Sequence, residues 1–135
     1  MGIRPATQVS LHDRCACALH DGGLVSCWGA CAASDKPKQV IASLPAVRQL
    51  SYPCALTQDN SVYCWGARPD QNGITIIDAT PQPISPLSDA ESLGGFCAMR
   101  PLGQVSCWAF NDNGQIGDGT MTPRASPSDV VGLSW

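Results

Sequence analysis

The sequence CALHDGGLVSCW at residues 17–28 returns as CALTQDNSVYCW at 54–65 and as CAMRPLGQVSCW at 97–108. In each copy two cysteines lie 10 residues apart, and a tryptophan follows the second one. The third position of the central turn is Gly23, Asn60 or Gly103, which are residue types that tolerate a positive φ. A type I turn followed by one such left-handed residue is a common three-residue loop between two strands. The spacing therefore predicts three β-hairpins.

Counting outward from each loop places the first cysteine of a copy opposite the second. Because side chains alternate between the faces of a strand, the Leu/Met, Val and Cys positions share one face, and the Ala, Ser/Tyr and Trp positions share the other. If the closing pair is hydrogen-bonded, the cysteines form a non-hydrogen-bonded pair, where strands approach closely enough for a disulfide. We therefore predict the bridges Cys17–Cys27, Cys54–Cys64 and Cys97–Cys107, with Cys15 and Cys31 as candidates for a fourth.

A metal site is the main alternative use for so many cysteines. Zinc ligands usually come in pairs separated by two to four residues. Cys15 and Cys17 are too close for such a pair, and Cys27-x3-Cys31 has no second pair beside it. With only two histidines in the chain, we predict no bound metal and no other cofactor.

The composition limits the compartment and the classes of partner. The 135 residues include 14% charged residues, with a net charge of −3 and no basic patch, so we expect no nucleic-acid binding. No apolar run has the length of a membrane span. An even number of closely spaced cysteines favours an oxidising compartment, which is extracellular, cell-surface or periplasmic. The first residues, MGIRPATQVS, do not resemble a signal peptide, and we expect the chain to be an excerpt of a longer protein.

The remaining sequence favours an all-β chain built from repeats. Eleven prolines and thirteen glycines interrupt almost every window, and no long stretch keeps a helical period. The cysteine motifs recur after 37 and 43 residues (17 to 54, and 54 to 97), a spacing that indicates a solenoid or a propeller. Apolar residues precede the second and third hairpins at matching offsets. We place the repeats at 6–40, 41–83 and 84–130 of one domain, with a fourth beginning near Leu133.

The segment CAMRPLGQVSCWAFNDNGQIGDGT at 97–120 resembles the repeat of the regulator of chromosome condensation family. Members have a hairpin that ends in Trp-Gly and is followed by Asn-x-x-Gly-Gln-Leu-Gly-x-Gly. Here Ala109 replaces the usual glycine after Trp108, and the corresponding loop is degenerate in the two earlier copies. The cysteine at each end of the hairpin looks like the variant in bacterial secreted members. The matching residues are Trp108, Asn111, Gly114, Gln115, Ile116, Gly117 and Gly119.

This resemblance implies a β-propeller whose blades are four antiparallel strands. Propellers usually have about four to eight blades, whereas the sequence holds about three, so we expect a partial propeller or a subunit of a larger one. Two copies would make a six-bladed ring, and a contact that does not close would make a filament. The recurrent tryptophans Trp28, Trp65 and Trp108 are then expected to pack between blades.

Two constellations suggest chemistry only weakly. Asn111, Asp112, Asn113 and Asp118 look like a calcium loop, but no late Glu follows, because Glu91 is the only one in the chain. His12 and His20 each stand beside an aspartate, yet no nucleophile and orienting group accompany them. We predict no catalytic site.

Three functions remain in competition. The leading one is a non-enzymatic, secreted or cell-surface module that binds a protein partner, still unidentified, through its loop faces. Its propeller would be completed by self-association or by further repeats. Family relatives include a nucleotide exchange factor for a small GTPase and a bacterial inhibitor of β-lactamases. The alternatives are a structural subunit of an extracellular assembly or filament, and a carbohydrate-binding propeller whose Trp and Tyr residues line pockets.

Overall fold

The computed structural model describes residues 5–12, 14–29, 34–40, 44–70, 72 and 74–133. Within this part of the chain the regular structure consists of twelve β-strands and a short 3-10 turn at Pro101–Gly103. The strands form three four-stranded antiparallel sheets. The prediction of an all-β chain made of four-stranded antiparallel blades is therefore confirmed.

The strands of each sheet follow one another in chain order, so each sheet is a simple meander. Blade 1 contains β1 (Ala6–His12), β2 (Cys15–His20), β3 (Val25–Gly29) and β4 (Ser34–Val40). Blade 2 contains β5 (Val47–Ser51), β6 (Cys54–Thr57), β7 (Val62–Pro69) and β8 (Thr75–Pro83). Blade 3 contains β9 (Ser92–Gly94), β10 (Cys97–Arg100), β11 (Gln104–Ala109) and β12 (Arg124–Asp129).

The central hairpins have the register that the sequence predicts, with the two cysteines of each copy directly opposite each other. Their third loop residues are left-handed, with φ of 81° at Gly23, 67° at Asn60 and 75° at Gly103. The turn type differs from the expected one in two loops, because Gly22 and Leu102 also have a positive φ. Glycine adopts this conformation at little cost, whereas Leu102 adopts it with steric strain.

The Cys-Trp-Gly motif corresponds to a β-bulge between the third and fourth strands. The register shifts between Cys64 and Gly66 in blade 2, where Trp65 of β7 faces residues 79–81 of β8, so the extra residues lie on the fourth strand. The other two blades shift at the same place. The residue after the tryptophan has a positive φ, 86° at Gly66 and 77° at Ala109. A bulge whose backbone turns left-handed explains why glycine usually follows the tryptophan.

The hydrophobic core lies between blades rather than within them. One cluster joins the Leu, Val and Cys positions of blade 1 to Val47, Leu50, Ala55 and Trp65 of blade 2. A second cluster joins the same positions of blade 2 to Leu93, Ala98 and Trp108 of blade 3. We call the Leu/Val/Cys side the trailing face of a blade and the Ala/Trp side its leading face. The division of side chains between two faces that the sequence predicts is confirmed.

No helix in the described part of the chain has the length and apolar character needed to cross a membrane.

Candidate interaction surfaces

A disulfide closes each central hairpin. The sulfur–sulfur distance is 2.06 Å in Cys17–Cys27 and 2.07 Å in both Cys54–Cys64 and Cys97–Cys107. Cys15 is not a free thiol, but Cys31 lies outside the described residues, so the suggested fourth bridge stays a prediction. Three disulfides in a chain of this length indicate an oxidising environment.

Two of the repeated tryptophans are buried between blades. The exposed fraction is 2% for Trp65 and 3% for Trp108. Each indole packs edge-on against a ring of its own blade, with centroids 5.8 Å apart for Tyr52 and Trp65 and 6.5 Å apart for Phe96 and Trp108. Neither indole Nε1 has a hydrogen-bond partner, so these side chains contribute through packing. Because both are buried, neither indole can stack on a sugar, whereas Trp28 in β3 of blade 1 is partly exposed.

Side chains of the first strand in one blade bind the backbone of the next blade. Gln8 and Gln49 hold equivalent register positions in β1 and β5, and so do Ser10 and Ser51. In every case the side-chain oxygen accepts a backbone N–H from the following blade. The bonds are Leu50 N–H to Gln8 Oε1 at 2.8 Å, Tyr52 N–H to Ser10 Oγ at 2.9 Å, Leu93 N–H to Gln49 Oε1 at 3.0 Å and Gly95 N–H to Ser51 Oγ at 2.9 Å.

The tip of each hairpin forms a second type of bond between blades. The carbonyl of Gly23 accepts the N–H of Val47 at 3.0 Å, and the carbonyl of Asn60 accepts the N–H of Ala90 at 3.1 Å. A Cβ on Gly23 would lie 2.7 Å from the Val47 nitrogen, so the tip approaches too closely for a side chain there. These polar contacts were not foreseen from the sequence, yet they recur at both joints.

The outer faces of the array expose apolar residues whose equivalents are buried at the joints. Met99 on the trailing face of blade 3 is 46% exposed, whereas the equivalent Leu56 is 0% exposed. Val9 on the leading face of blade 1 is 60% exposed, whereas the equivalent Leu50 is 7% exposed. Such a pair of apolar faces is typical of protein interfaces.

The loop after β11 is fixed by the side chain of Asn111, which is fully buried. Its Nδ2 donates to the carbonyls of Thr120 and Thr122, both at 2.9 Å, and its Oδ1 accepts the N–H of Ile116 at 2.9 Å. One amide thus ties three points of the loop together. This explains in physical terms the asparagine that carries the family resemblance.

Asp118 fixes the second half of the same loop. Its carboxylate accepts the Thr120 hydroxyl at 2.6 Å and the Arg124 Nε–H at 2.8 Å. The hydrogen bond from Thr120, followed by that from Arg124, lowers the pKa of Asp118 from 3.8 to about 2. The carboxylate therefore stays ionised and holds the loop against the start of β12.

These bonds bear directly on the calcium candidate. The oxygens of Asn111 and Asp118 accept protein N–H and O–H groups, whereas Asp112 and Asn113 are exposed. Among the residues that the structure describes, no group of three or more His, Cys, Asp or Glu side chains is placed to hold a metal. We assign Asn111 and Asp118 to loop structure and propose no calcium site.

Of the two histidines, the structure describes the side chain of His20. His20 Nε2 lies 2.7 Å from Ser26 Oγ, but Ser26 is only 5% exposed and substrate cannot reach it. The side chain of His12 lies outside the described residues. Arg100 contacts Asp89 at 3.0 Å and lowers the pKa of that carboxyl through the hydrogen bond. This ion pair joins a hairpin to the linker before β9 and serves structure.

Two loops at the same end of blades 2 and 3 form what we call the long-loop face, whose described residues are 70, 72, 74 and 110–123. Both connect the third strand of a blade to the fourth. In the first loop the Asp70 carboxylate accepts the N–H of Ile74 at 2.9 Å. Ile74 is 62% exposed and Met121 in the second loop is 61% exposed. The face thus presents apolar side chains on backbone that internal hydrogen bonds hold in place.

No protein-family model and no curated protein sequence matches the chain. Solved structures do match it. Human WBSCR16 has a TM-score of 0.75 and 19% identity over 94% of this chain and 40% of that protein. Yeast RCC1 (Prp20) bound to Kap60 has a TM-score of 0.73 and 17% identity over 96% of this chain and 37% of that one.

The chain has the RCC1-like propeller fold. A further structure, Prp20p from Saccharomyces cerevisiae, has a TM-score of 0.68 and 16% identity, over 96% of this chain and 39% of that one. Identities this low establish the RCC1-like fold alone. The chain spans about 40% of the length of these propellers, so the two joints between its blades belong to a partial propeller.

Proposed function

We propose that this protein is a non-enzymatic, secreted or cell-surface module of RCC1-like blades that binds another protein, and that self-association or further repeats complete its propeller. The observation that carries the proposal is the long-loop face, where Ile74 and Met121 are exposed on hydrogen-bonded loops. Apolar side chains on a preordered surface bind a partner without a large cost in loop ordering. Aromatic, methionine and similar anchors are frequent at the centres of such interfaces.

The structural neighbours support a protein as the partner. Yeast RCC1 is described in complex with Kap60, and Prp20p is described by its binding to Gsp1p and histones. The net charge of −3 and the sparse basic residues favour a protein over a nucleic acid for this chain.

Site-specific cross-linking tests the proposed binding surface. Photoreactive residues at positions 74 and 121 of the oxidised chain are expected to capture the same protein from an extracytoplasmic fraction of the source cells. A photoreactive residue at Leu24, which is 39% exposed at the opposite end of a blade, is the matched control. Capture of one partner equally from all three positions, or from Leu24 alone, would argue against the long-loop face.

The disulfides support the proposed location. Alkylation of protein freshly isolated from its source, followed by peptide mapping, is expected to find Cys17, Cys54 and Cys97 oxidised. Free thiols at Cys54 and Cys64 would remove the argument for an extracellular, cell-surface or periplasmic protein.

A structural subunit of an extracellular assembly is the second candidate, and the exposed Val9 and Met99 on the two outer faces favour it. Electron microscopy of the oxidised chain separates the outcomes. Closed rings support the binding module, whereas long filaments support the structural subunit.

A further inference from the structure

We propose that the trailing face of blade 3 docks on the leading face of blade 1 of a second copy of this chain, head to tail, through the same contacts that join its own blades. This inference deepens the proposed function, since it assigns the residues that would complete the propeller. The two joints inside the chain supply the pattern. Each places a Leu, Val and Cys face against an Ala and Trp face and adds a hairpin-tip bond.

The apolar halves of this joint are both present on one chain. At the first internal joint Leu19 packs in one cluster with Leu50, and at the second Leu56 packs with Leu93. The register positions that correspond to these pairs across the new joint are Met99 and Val9 of the second copy. Both are exposed, at 46% and 60%. Docking would bury two apolar side chains that are now in water.

The linker after blade 3 points to the same joint. Leu87, in the linker between blades 2 and 3, is 5% exposed and belongs to the second core cluster. Leu133 follows blade 3 at the equivalent place and is 56% exposed. Docking of a second copy would give Leu133 the environment that Leu87 already has.

The tip of the central hairpin of blade 3 also offers a hydrogen-bond acceptor to the second copy. Gly103 is equivalent to Gly23, whose carbonyl accepts the Val47 N–H. Val47 corresponds to Ala6 at the exposed start of β1. A Cβ on Gly103 would meet nothing within 4 Å, whereas one on Gly23 would meet the next blade. We therefore expect the Gly103 carbonyl to accept the Ala6 N–H of the second copy.

The first strand of blade 3 has only part of the side-chain acceptors that the first strands of blades 1 and 2 use at the internal joints. Ser92 stands where Gln8 and Gln49 stand, and Gly94 stands where Ser10 and Ser51 stand. Gly94 has no side chain to accept a bond, and a Cβ there has open space. The joint between copies is therefore weaker than the internal ones, and residues that strengthen it can be named.

A complementation experiment tests the head-to-tail arrangement. Native mass spectrometry of the oxidised chain is expected to show twice the 14.2 kDa of one chain, or longer strings, as concentration rises. Val9→Glu and Met99→Lys should each weaken this association at least tenfold, because each buries a charge in an apolar joint. Mixing the two variants should restore a pair, since Val9→Glu keeps its trailing face and Met99→Lys keeps its leading face.

A variant that strengthens association excludes misfolding as the cause of the weaker association expected for Val9→Glu and Met99→Lys. Ser92→Gln with Gly94→Ser restores both acceptors and is expected to tighten association by about three- to tenfold. Ile74→Glu is the matched control, because it places the same charge on an exposed residue outside the joint and should leave the mass distribution unchanged.

The inference fails if the chain stays monomeric at all concentrations, if the mixed variants do not pair, or if Ile74→Glu disrupts association as strongly as Val9→Glu does. The proposed binding function is read separately, by cross-linking from position 121 in the Val9→Glu chain. Retained capture with lost association supports both proposals. Association through other residues together with retained capture overturns the joint alone.

Discussion

Ala109 carries a side chain at a backbone position that favours glycine. Its φ is 77°, and the equivalent Gly66 in blade 2 has a φ of 86°. A left-handed residue other than glycine costs about 1–2 kcal/mol, and replacing alanine with glycine loosens the unfolded chain by about 0.4–1 kcal/mol. We therefore expect Ala109→Gly to raise the free energy of unfolding by roughly 0.5–1 kcal/mol, measured by denaturant titration under non-reducing conditions.

The reverse change in blade 2 is the matched control. A Cβ on Gly66 would lie 2.5 Å from Tyr52 Oη, and Tyr52 is packed against Trp65. In blade 3 the residue at the place of Tyr52 is Gly95, which leaves room for the methyl group of Ala109. Gly66→Ala is expected to lower the free energy of unfolding by about 2 kcal/mol. An unchanged free energy of unfolding would contradict the close approach of Tyr52 to this position.

The pH dependence of stability depends in part on Asp118. Its pKa is lowered from 3.8 to about 2 in the folded chain, so its contribution is complete above the ordinary pKa. The contribution is lost as the pH falls from about 4 towards 2, because protonation then breaks the bonds to Thr120 and Arg124. Asp118→Asn should lower the melting temperature at pH 6 and have little effect near pH 2. Asp112→Asn, exposed in the same loop, is the control and should leave both values unchanged.

At the scale of elements, the blade that follows each hairpin covers its disulfide. Cys17 and Cys54 are 0% exposed because a following blade packs on them. Cys97 lies on the trailing face of blade 3 and is partly exposed. A bulky water-soluble phosphine is therefore expected to reduce Cys97–Cys107 before the other two bridges, as followed by timed alkylation and peptide mapping.

The reduction rate of Cys97–Cys107 is also expected to depend on the concentration of the chain. If a second copy covers blade 3, Cys97–Cys107 should become slower to reduce as the chain is concentrated, while Cys54–Cys64 stays unchanged. Equal reduction rates for the three bridges in dilute solution would contradict the assigned burial.

The register of the central hairpins was predictable because the residues that determine it are close together in the sequence. The turn residues and the ten-residue cysteine spacing fix the register of β2 with β3 within one short window. The outer strands were not predictable in this way. Ser34–Val40 reads SDKPKQV and Arg124–Asp129 reads RASPSD, and neither alternates apolar with polar residues. Such a strand forms because the preceding one offers a free edge, which no local pattern records.

Across the whole molecule, the sequence predicted the two faces of a blade but not the polar bonds between blades. Gln8 and Ser10 each bind a backbone N–H 42 residues away. Glutamine and serine are ordinary residues for a strand, so only their recurrence one repeat later in the structure reveals a role. The exposed Ile74 and Met121 were missed for a related reason, since burial of a single apolar loop residue is a property of the folded chain.

Because the tip bonds of Gly23 and Asn60 recur at both joints, such a protein can gain or lose one whole repeat in evolution and keep its joints intact. Gain or loss of one whole repeat brings together faces that already match, with a tip carbonyl opposite a strand N–H. An insertion of one residue in β5 would instead turn every side chain of that strand to the wrong side. Lineages carrying this fold would therefore be expected to differ in the number of blades more readily than in the length of the strands within a blade.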